Sequence, residues 1–549
     1  MPDAAETPGQ LTTAQLARLA AYAVAENVTV GEVVFRPGDI DYDLVVIESG
    51  WIEILTPASE EDPEAVVARY GPRGFLGELN FLTGQTAYLT ARVTEAGRIH
   101  RLSRARFRDL MADDPELSDI LLRTFLTRRD LLRANAAART LTILGSELSS
   151  ASLALRTFAA RQRLPHQWFD VDSPAGASLI ESTHLSPSAL PALITPQRVV
   201  ERATPGLLAD LLGLSYRRTK TALVDVTVIG SGPAGLAAAM YGASEGLSTV
   251  VLDSVGIGGQ AAASSRIENY LGFPSGISGH ELTQRAALQA MKFGAKLASP
   301  CKVVNLGTDG CHLILTLDDG AEIVSRSALI ATGVRYKRLP LPRWDDFEGA
   351  GIYYAATELE ARACGVEPVT VIGGANSAGQ AALFLAARGS AVTLAIRGAD
   401  AALGMSTYLL TRLRAHPLVT IMVNAEVTGL DGDTALRRIT LTDTVAGTTA
   451  RRACRGLFCF IGAEPETRWL HDVQLDEAGS VRTDLRLDSD QLGATWHTLG
   501  RDPLPFETSI PNVFAAGDVR LGSAKRVAAA VGEGASAVRA IHSAIGTRT

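Results

Sequence analysis

The sequence has few cysteines, and none of them is paired at a spacing that supports chemistry. Five cysteines occur in 549 residues, and no two of them form a Cys-x-x-Cys pair. They are Cys301, Cys311, Cys364, Cys454 and Cys459. An odd number without close spacing argues against a disulfide scaffold and fits a reducing compartment. No group of cysteines and histidines has the spacing of zinc ligands, so we expect no metal site.

The sequence also lacks excess charge, a long apolar run and a leader. Charged residues make up 20% of the chain and the net charge is −7, so no basic field favours nucleic acid or an anionic membrane. No uninterrupted apolar run reaches ~18 residues. The first ~30 residues lack the basic and apolar regions of a signal peptide. We therefore predict a cytoplasmic, soluble protein of about three or four domains.

The chain does contain a dinucleotide fingerprint near its middle. An apolar run from Val226 leads into Gly230, Gly232 and Gly235, spaced as GxGxxG, and a helical pattern follows. Such glycines permit a tight turn, close approach to a pyrophosphate and close packing of helix on strand. Asp253 ends the next strand, about 20 residues downstream, where an acid is expected on a ribose hydroxyl. We predict dinucleotide binding here rather than a purely structural turn.

The N-terminal part, to about residue 140, is predicted to be a β-roll followed by helices. The motifs PGD at 37–39, ESG at 48–50 and FLGELNFLTGQ at 75–85 resemble the cyclic nucleotide-binding domain of catabolite activator proteins and kinase regulatory subunits. This resemblance implies that Gly77 and Glu78 hold a ribose hydroxyl.

The phosphate end of that pocket departs from the family pattern. Ala87 and Tyr88 stand where the family has Arg and Ser, so a charge-assisted contact worth about 1.5–3 kcal/mol is missing. Arg92 is a candidate substitute. Two readings stay open: a cyclic nucleotide site, or a retained β-roll that senses something else or supports a dimer. No helix-turn-helix follows, so a transcription factor is not indicated.

Residues 141–217 alternate strand and helix patterns, which predicts a small α/β layer. The order, with Leu190-Pro191 before an apolar strand, resembles a thioredoxin or glutaredoxin-like domain, whose proline at that place is cis. Ser149 and Ser152 stand where such domains have CxxC. Serine forms neither a disulfide nor a stable thiolate, so we predict a docking or spacer module rather than a redox relay.

The remainder of the chain resembles the flavin domain of low-molecular-weight thioredoxin reductases. The motifs are GIGGQAAASSRIENYLGFPSGISGHEL after Asp253, LIATG at 329–333 and NVFAAGDVR at 512–520, with the first fingerprint before them. The resemblance implies bound FAD, and Arg526-Val527-Ala528 replaces the family's Arg-Gln-Ala. The residues it implies for FAD are Gly230, Gly232, Pro233, Ala234, Gly235, Asp253, Gly259, Gln260, Ser265, Asn269, Thr332, Gly333, Asp518, Arg526, Val527 and Ala528.

A second fingerprint, VTVIGGANSAG at 369–379, lies between the two flavin segments. Its form is GxAxxA, and the next strand ends at Arg397 without the acid that selects NAD. An arginine there can pair with a 2′-phosphate, so NADPH is favoured over NADH, although Arg397 as a solvated loop charge stays open. The predicted nucleotide residues are Gly373, Gly374, Ala375, Asn376, Ser377, Ala378 and Arg397.

The position of the family's CATC dithiol is the main departure. Ala355 and Glu358 occupy the two cysteine positions, and disulfide exchange needs two sulfurs. We therefore predict no thioredoxin reduction at this site. Glu358, as a proton relay, and Cys364, as a redox thiol, are candidate catalytic residues, against a helix-start acid and a small buried hydrophobe.

Together these features predict a multidomain α/β and β protein. The expected domains are 1–140, cyclic nucleotide-binding-like; 141–217, thioredoxin-like; 218–338 with 465–549, FAD-binding; and 339–464, NAD(P)H-binding. The favoured function is an NADPH-dependent FAD oxidoreductase with an unknown acceptor, regulated by its N-terminal domain. The alternatives are a redox or nucleotide sensor and a ferredoxin or flavodoxin reductase-like enzyme. The resemblances imply a homodimer.

Overall fold

The first unit of the fold is a β-roll flanked by helices. A computed structural model describes residues 10–39, 42–56, 64–77, 87, 89–134, 141–162, 164–195, 198–215, 223–264, 266–310 and 312–546. Two four-stranded sheets, ordered β1-β8-β3-β6 and β2-β7-β4-β5, share one hydrophobic core. Their elements are α1 Thr13–Ala20, β1 Val24–Val28, β2 Val33–Phe35, β3 Leu44–Ile47, β4 Trp51–Leu55, β5 Val66–Tyr70, β6 Phe75–Leu76, β7 Thr90–Glu95, β8 Gly97–Leu102, α2 Arg104–Asp113 and α3 Pro115–Ala134. The predicted β-rich N-terminal domain is confirmed.

The second unit is a four-stranded sheet with helices. Strand order is β10-β9-β11-β12, with β9 and β10 parallel and β11 antiparallel to both neighbours. The elements are β9 Leu141–Gly145, α4 Ser150–Arg161, β10 His166–Asp170, α5 Pro174–Thr183, β11 Ala192–Thr195, β12 Arg198–Val200 and α6 Pro205–Leu212. Ser149 caps α4, because its hydroxyl accepts a hydrogen bond from the Ser152 N–H at 3.3 Å. The Leu190–Pro191 peptide bond is cis, as expected.

The third unit carries the first fingerprint at the end of a buried parallel strand. Its elements are β13 Val224–Ile229, α7 Pro233–Ser244, β14 Thr249–Leu252, α8 Gly279–Lys292, β15 Lys296–Ala298, β16 Val303–Asp309, β17 His312–Leu317 and β18 Glu322–Ile330. β13 pairs in parallel with β14 and with β18. Strands β13 and β14 are buried along most of their length, because helices α7, α8 and the C-terminal helix Val527–Ile545 pack on one face and strands and loops on the other.

The fourth unit is inserted through a two-stranded connection. Strand β19 Val334–Tyr336 leads into it and is antiparallel to the strand that returns. The elements that follow are α9 Trp344–Phe347, β20 Ile352–Tyr353, α10 Glu358–Cys364, β21 Val369–Ile372, α11 Asn376–Ala386, β22 Val392–Ala395, α12 Thr407–Ala415, β23 Val419–Met422, β24 Ala425–Gly432, β25 Leu436–Asp443, β26 Thr449–Ala453, β27 Gly456–Cys459 and the returning β28 Ala463–Pro465. A five-stranded sheet, β20-β27-β21-β22-β23, carries the second fingerprint.

The chain then completes the third unit. It adds α13 Ala494–Leu499, β29 Val513–Ala515 and α14 Val527–Ile545. β29 pairs in parallel with β18, and α14 packs on α7 beside the first fingerprint. The carboxyl ends of β13, β18 and β29 therefore meet at one edge, where ligands bind in open α/β sheets.

Candidate active-site cleft

The first fingerprint and the other predicted flavin segments meet in one cleft of about 360 Å³ at this edge. The predicted residues that line it are Gly230, Gly232, Pro233, Ala234, Asp253, Gly259, Gln260, Thr332, Gly333, Ser377, Asp518, Arg526 and Val527. Asn269 and Ala528 are exposed and do not line it. Ser265 lies outside the described residues.

The three glycines of the first fingerprint differ in their surroundings. Gly230 has a φ of +108°, and a Cβ there would lie 2.3 Å from the carbonyl oxygen of Ala331. A Cβ on Gly235 would lie 1.9 Å from the carbonyl oxygen of Gly230, so helix and strand need this close packing. A Cβ on Gly232 would have no atom within 4 Å. Gly232 caps α7 without a side-chain hydrogen bond, so the first N–H groups of α7 are available to an anion.

Asp253 is held by four hydrogen bonds at the end of β14. Its Oδ2 accepts from the backbone N–H and the hydroxyl of Ser231, both at 2.8 Å. Its Oδ1 accepts from the N–H groups of Val255 and Gly256 at 2.9 and 2.8 Å. These bonds use the acceptor sites of the carboxylate, so Asp253 shapes the loop that carries the next cleft residues.

Glu533 of α14 supports the cleft through the loop 517–520. Its carboxylate accepts hydrogen bonds from the Gly517 N–H at 2.8 Å and from Arg520 at 3.1 and 3.0 Å. These contacts fix the loop that presents Asp518 to the cleft. Burial raises the pKa of the Asp518 carboxyl, and the Lys525 charge opposes that effect while Glu533 adds to it.

The second fingerprint contributes to the same cleft. Gly373 has a φ of +141°, and a Cβ there would lie 2.4 Å from the Phe460 carbonyl oxygen. Ala375 caps α11 without a side-chain hydrogen bond. Ser377, in the first turn of α11, lines the cleft, whereas Gly373, Gly374, Ala375, Asn376 and Ala378 do not. Arg397 follows β22 and is exposed.

Sequence reasoning missed several lining residues. They are Ala261, Ser264, Ala331, Val334, Tyr336, Ala516, Gly517, Lys525 and Ala530. Lys525 is adjacent to the predicted Arg526, so its place in the chain was a usable signal. Tyr336 had none: it lies in the connection β19, and its ring stacks on Tyr354 with centroids 5.6 Å apart and planes 2° apart. Burial raises the pKa of Tyr336.

The two candidate catalytic residues do not line the cleft. Glu358 begins α10 and forms an ion pair with Arg388, whose hydrogen bond lowers the pKa of the Glu358 carboxyl. Cys364 ends α10 in the core of the fourth unit, where burial raises the pKa of its thiol to about 12. Such a thiol is a poor nucleophile at neutral pH.

The pocket of the first unit is only partly described. Gly77 has a φ of +102°, and a Cβ there would lie 2.7 Å from the Asp43 carbonyl oxygen. Glu78 and Tyr88 lie outside the described residues. Arg92 donates two hydrogen bonds to Glu64, at 2.6 and 2.9 Å, so its guanidinium is already engaged by a carboxylate.

Two kinds of feature are absent from the part of the chain that the structure describes. No helix there combines the length and apolar character needed to cross a membrane. Within the same residues, no group of three or more His, Cys, Asp or Glu side chains is placed to hold a metal ion.

Comparison with known proteins identifies two matching family models. Residues 224–534 match that of the pyridine nucleotide-disulphide oxidoreductases. Residues 25–114 match that of the cyclic nucleotide-binding domain.

Several similar proteins are named thioredoxin reductase. The thioredoxin reductase of Treponema pallidum is 32% identical over 323 residues, which cover 59% of this chain and 97% of that protein. The bifunctional thioredoxin reductase/thioredoxin of Mycobacterium leprae is 30% identical over 314 residues, covering 57% of this chain and 64% of that protein. The crystal structure of Lactococcus lactis thioredoxin reductase has a TM-score of 0.51 and 28% identity, with 59% of this chain and 99% of that one covered.

Proposed function

The chain belongs to the pyridine nucleotide-disulphide oxidoreductase family, and we propose that it oxidises NADPH through FAD and delivers the electrons to an acceptor other than a thioredoxin disulfide. Proteins of this thioredoxin reductase-like family use FAD and NADPH. FAD, when bound, accepts a hydride from the nicotinamide and passes two electrons on.

The residues of the cleft fit a dinucleotide. Gly232 leaves open space beside the uncapped N-terminus of α7, which suits a pyrophosphate. Thr332 and Asp518 stand around that space as hydrogen-bonding groups for ribose and ribityl hydroxyls. Asp253 also lines it, and its carboxylate positions the loop that carries the next cleft residues. Lys525 and Arg526 also line the cleft and add positive charge. We assign FAD to this cleft on these grounds.

One observation carries the proposal: Ser377 of the second fingerprint lines the same cleft as Gly232 of the first. Hydride transfer from NADPH to FAD requires the nicotinamide and the flavin ring to meet. A nucleotide held at the N-terminus of α11 would enter the cleft beside Ser377. Arg397, exposed after β22, is free to reach a 2′-phosphate.

The absence of a dithiol at 355–358 supports an acceptor of another kind. Glu358 pairs with Arg388, and the nearby thiol of Cys364 is buried and protonated. Neither group can form or resolve a mixed disulfide. We propose that a two-electron acceptor approaches the cleft itself.

Anaerobic stopped-flow mixing of the purified yellow protein with NADPH and, separately, with NADH tests the proposal. Bleaching of the visible flavin band within about a second by NADPH is expected, with NADH slower. Thioredoxin should not be reduced in a steady-state assay. A flavin that stays oxidised with both nucleotides would contradict the proposal.

A second candidate function is ligand sensing by the first unit, and helix α8 favours it. Leu288 and Met291 of α8 pack into the core of the first unit. On the same helix, a Cβ at Gly279 would lie 1.8 Å from the carbonyl oxygen of Ala261, which lines the cleft. One rigid helix therefore contacts both the β-roll and the flavin loop. A change in flavin reduction rate on adding a cyclic nucleotide would support regulation; an unchanged rate would count against it.

We further propose that the protein is a homodimer. Exposed apolar side chains on the third unit, including Leu271 at 94% and Phe293 at 41%, suit a surface that a second copy covers. A mass of about twice 57.9 kDa by light scattering is expected; a monomer would contradict it.

A further inference from the structure

Helix α4 of the second unit contacts the fourth unit at its N-terminal end. The Cα of Ser150 lies 2.8 Å from where a Cβ on Gly349 would stand, so the two backbones are in close contact. One turn further, Leu153 packs against the hydrophobic core of the fourth unit. That core includes Tyr353 and Cys364, on either side of the former dithiol segment.

The other end of the same helix contacts the third unit. Gln284 of α8 donates a hydrogen bond from Nε2 to the carbonyl oxygen of Arg161 at 2.8 Å. The aliphatic part of the Arg161 side chain covers Gly256, in the loop held by Asp253, at 3.1 to 3.9 Å from the position of a Cβ. Gln162 then donates to the hydroxyl of Ser299 at 2.6 Å, and both side chains are buried.

Two short strands connect the third and fourth units in the described part of the chain. They form the β19–β28 ladder, which the ion pair of Arg335 with Glu464 supports. A connection of two short strands leaves domains free to move unless a larger interface restrains them. Helix α4 has 12 residues and spans about 18 Å, enough to reach both units with one rigid element.

We propose that helix α4 is a brace that holds the fourth unit against the third with Ser377 facing the cleft, so that the two dinucleotide sites face each other throughout the catalytic cycle. The second unit thereby acquires a role that needs no thiol chemistry, which agrees with Ser149 and Ser152 at its former redox positions. The inference goes beyond the proposed function and uses it only in taking the cleft as the flavin site.

The brace also covers one face of the fourth unit. Leu153 and Ala356 pack against the same hydrophobic cluster of the fourth unit. The helix therefore packs on the same hydrophobic core as the segment that lacks the dithiol.

Spin-label distance measurements on the full-length protein test the brace. Labels are placed on Lys302→Cys in the third unit and Thr449→Cys in the fourth, both exposed positions. Cys311→Ser is added to the background, and the other four cysteines are buried. A single narrow distance is expected, unchanged when NADPH is added.

Leu153→Glu should release the fourth unit and add a second, longer distance. The matched control is Leu207→Glu on α6 of the same unit, a side chain 45% exposed, which should leave the distance unchanged. Should Leu153→Glu fail to fold, Gln162→Ala removes the buried contact to Ser299 and is expected to broaden the distribution. Two distances in the unmutated protein, or a Leu153→Glu distance like that of the control, would overturn the brace. If the protein shows a single distance but NADPH does not reduce its flavin, the brace stands and only the proposed function is contradicted.

Discussion

Ser231 donates both its backbone N–H and its hydroxyl to Oδ2 of Asp253, each at 2.8 Å, and so joins the first fingerprint to the end of the second strand. The same pattern recurs at the other end of β13, where Ser248 donates its N–H and hydroxyl to Oδ2 of Asp225 at 3.0 and 2.7 Å. The two acids thus match at Oδ2 and differ at Oδ1, which accepts from two backbone N–H groups in Asp253 and from the Arg326 guanidinium in Asp225.

This match gives the first prediction. Asp253→Asn should weaken FAD binding by roughly tenfold or more, because charge-assisted hydrogen bonds worth about 1.5–3 kcal/mol are lost beside the pyrophosphate turn. FAD release, followed by flavin fluorescence during dilution, measures it. Asp225→Asn should lower thermal stability and leave FAD affinity unchanged; equal FAD loss in both variants would assign the effect to folding.

Asp518 gives a prediction about pH. Since burial raises its pKa in the folded protein, the folded state binds this proton more tightly than the unfolded state does. The resulting stabilisation is complete below the unfolded pKa of about 3.9 and is lost as pH rises through the folded pKa. Asp518→Asn should therefore raise the melting temperature of the FAD-free protein at pH 7, with the gain shrinking towards pH 4.

The same substitution should weaken FAD binding if Asp518 contacts the cofactor. A variant more stable when empty and weaker in binding FAD would identify a group kept for function. A lower melting temperature at pH 7 would show that the ionised carboxylate stabilises the empty fold.

Arg397 should select the nucleotide. Arg397→Ala removes a contact to a 2′-phosphate worth about 1.5–3 kcal/mol, so KM for NADPH should rise roughly 10- to 100-fold while that for NADH stays the same. The control is Arg414→Ala on α12, an exposed arginine of the same unit. Equal effects on both nucleotides would contradict the assignment.

Cys364 should be inert. With a pKa of about 12, fewer than about one thiol in ten thousand is ionised at neutral pH, so iodoacetamide should not modify it in the native protein. Cys364→Ala should cost about 1 kcal/mol of stability and leave NADPH oxidation unchanged. Rapid alkylation that abolishes turnover would restore it as a catalytic candidate.

Local sequence signals predicted the parts of the site that depend on local geometry. The glycines at 230, 232 and 235 and the acid at 253 were predictable, since a strand, a tight turn and a helix fix them in one short stretch. Ser377 was predicted for the nucleotide site, but its place in the flavin cleft was not predictable, because it depends on how two distant units are oriented. Tyr336 was missed because it lies in a connecting strand, which has no fingerprint of its own.

The second unit illustrates the limit of motif reasoning. Ser149 and Ser152 predicted what it does not do, and Leu190-Pro191 indicated its fold. Its placement between the two dinucleotide units rests on Leu153, Arg161 and Gln162. Ordinary helix residues of this kind carry no pattern until their partners are known.

Helix α8 makes the third unit depend on the first two units for its burial. Leu288 of this helix packs in the core of the first unit. On its other faces Thr283 is buried in the third unit, and Gln284 is buried and bonded to the second. The helix is therefore shared by three units. A polypeptide that begins at the first fingerprint would expose the apolar side chains of Leu288 and Met291 to water. The first and second units are therefore part of the structural support of the flavoprotein. Their loss would require substitutions on the surface of α8 that they cover.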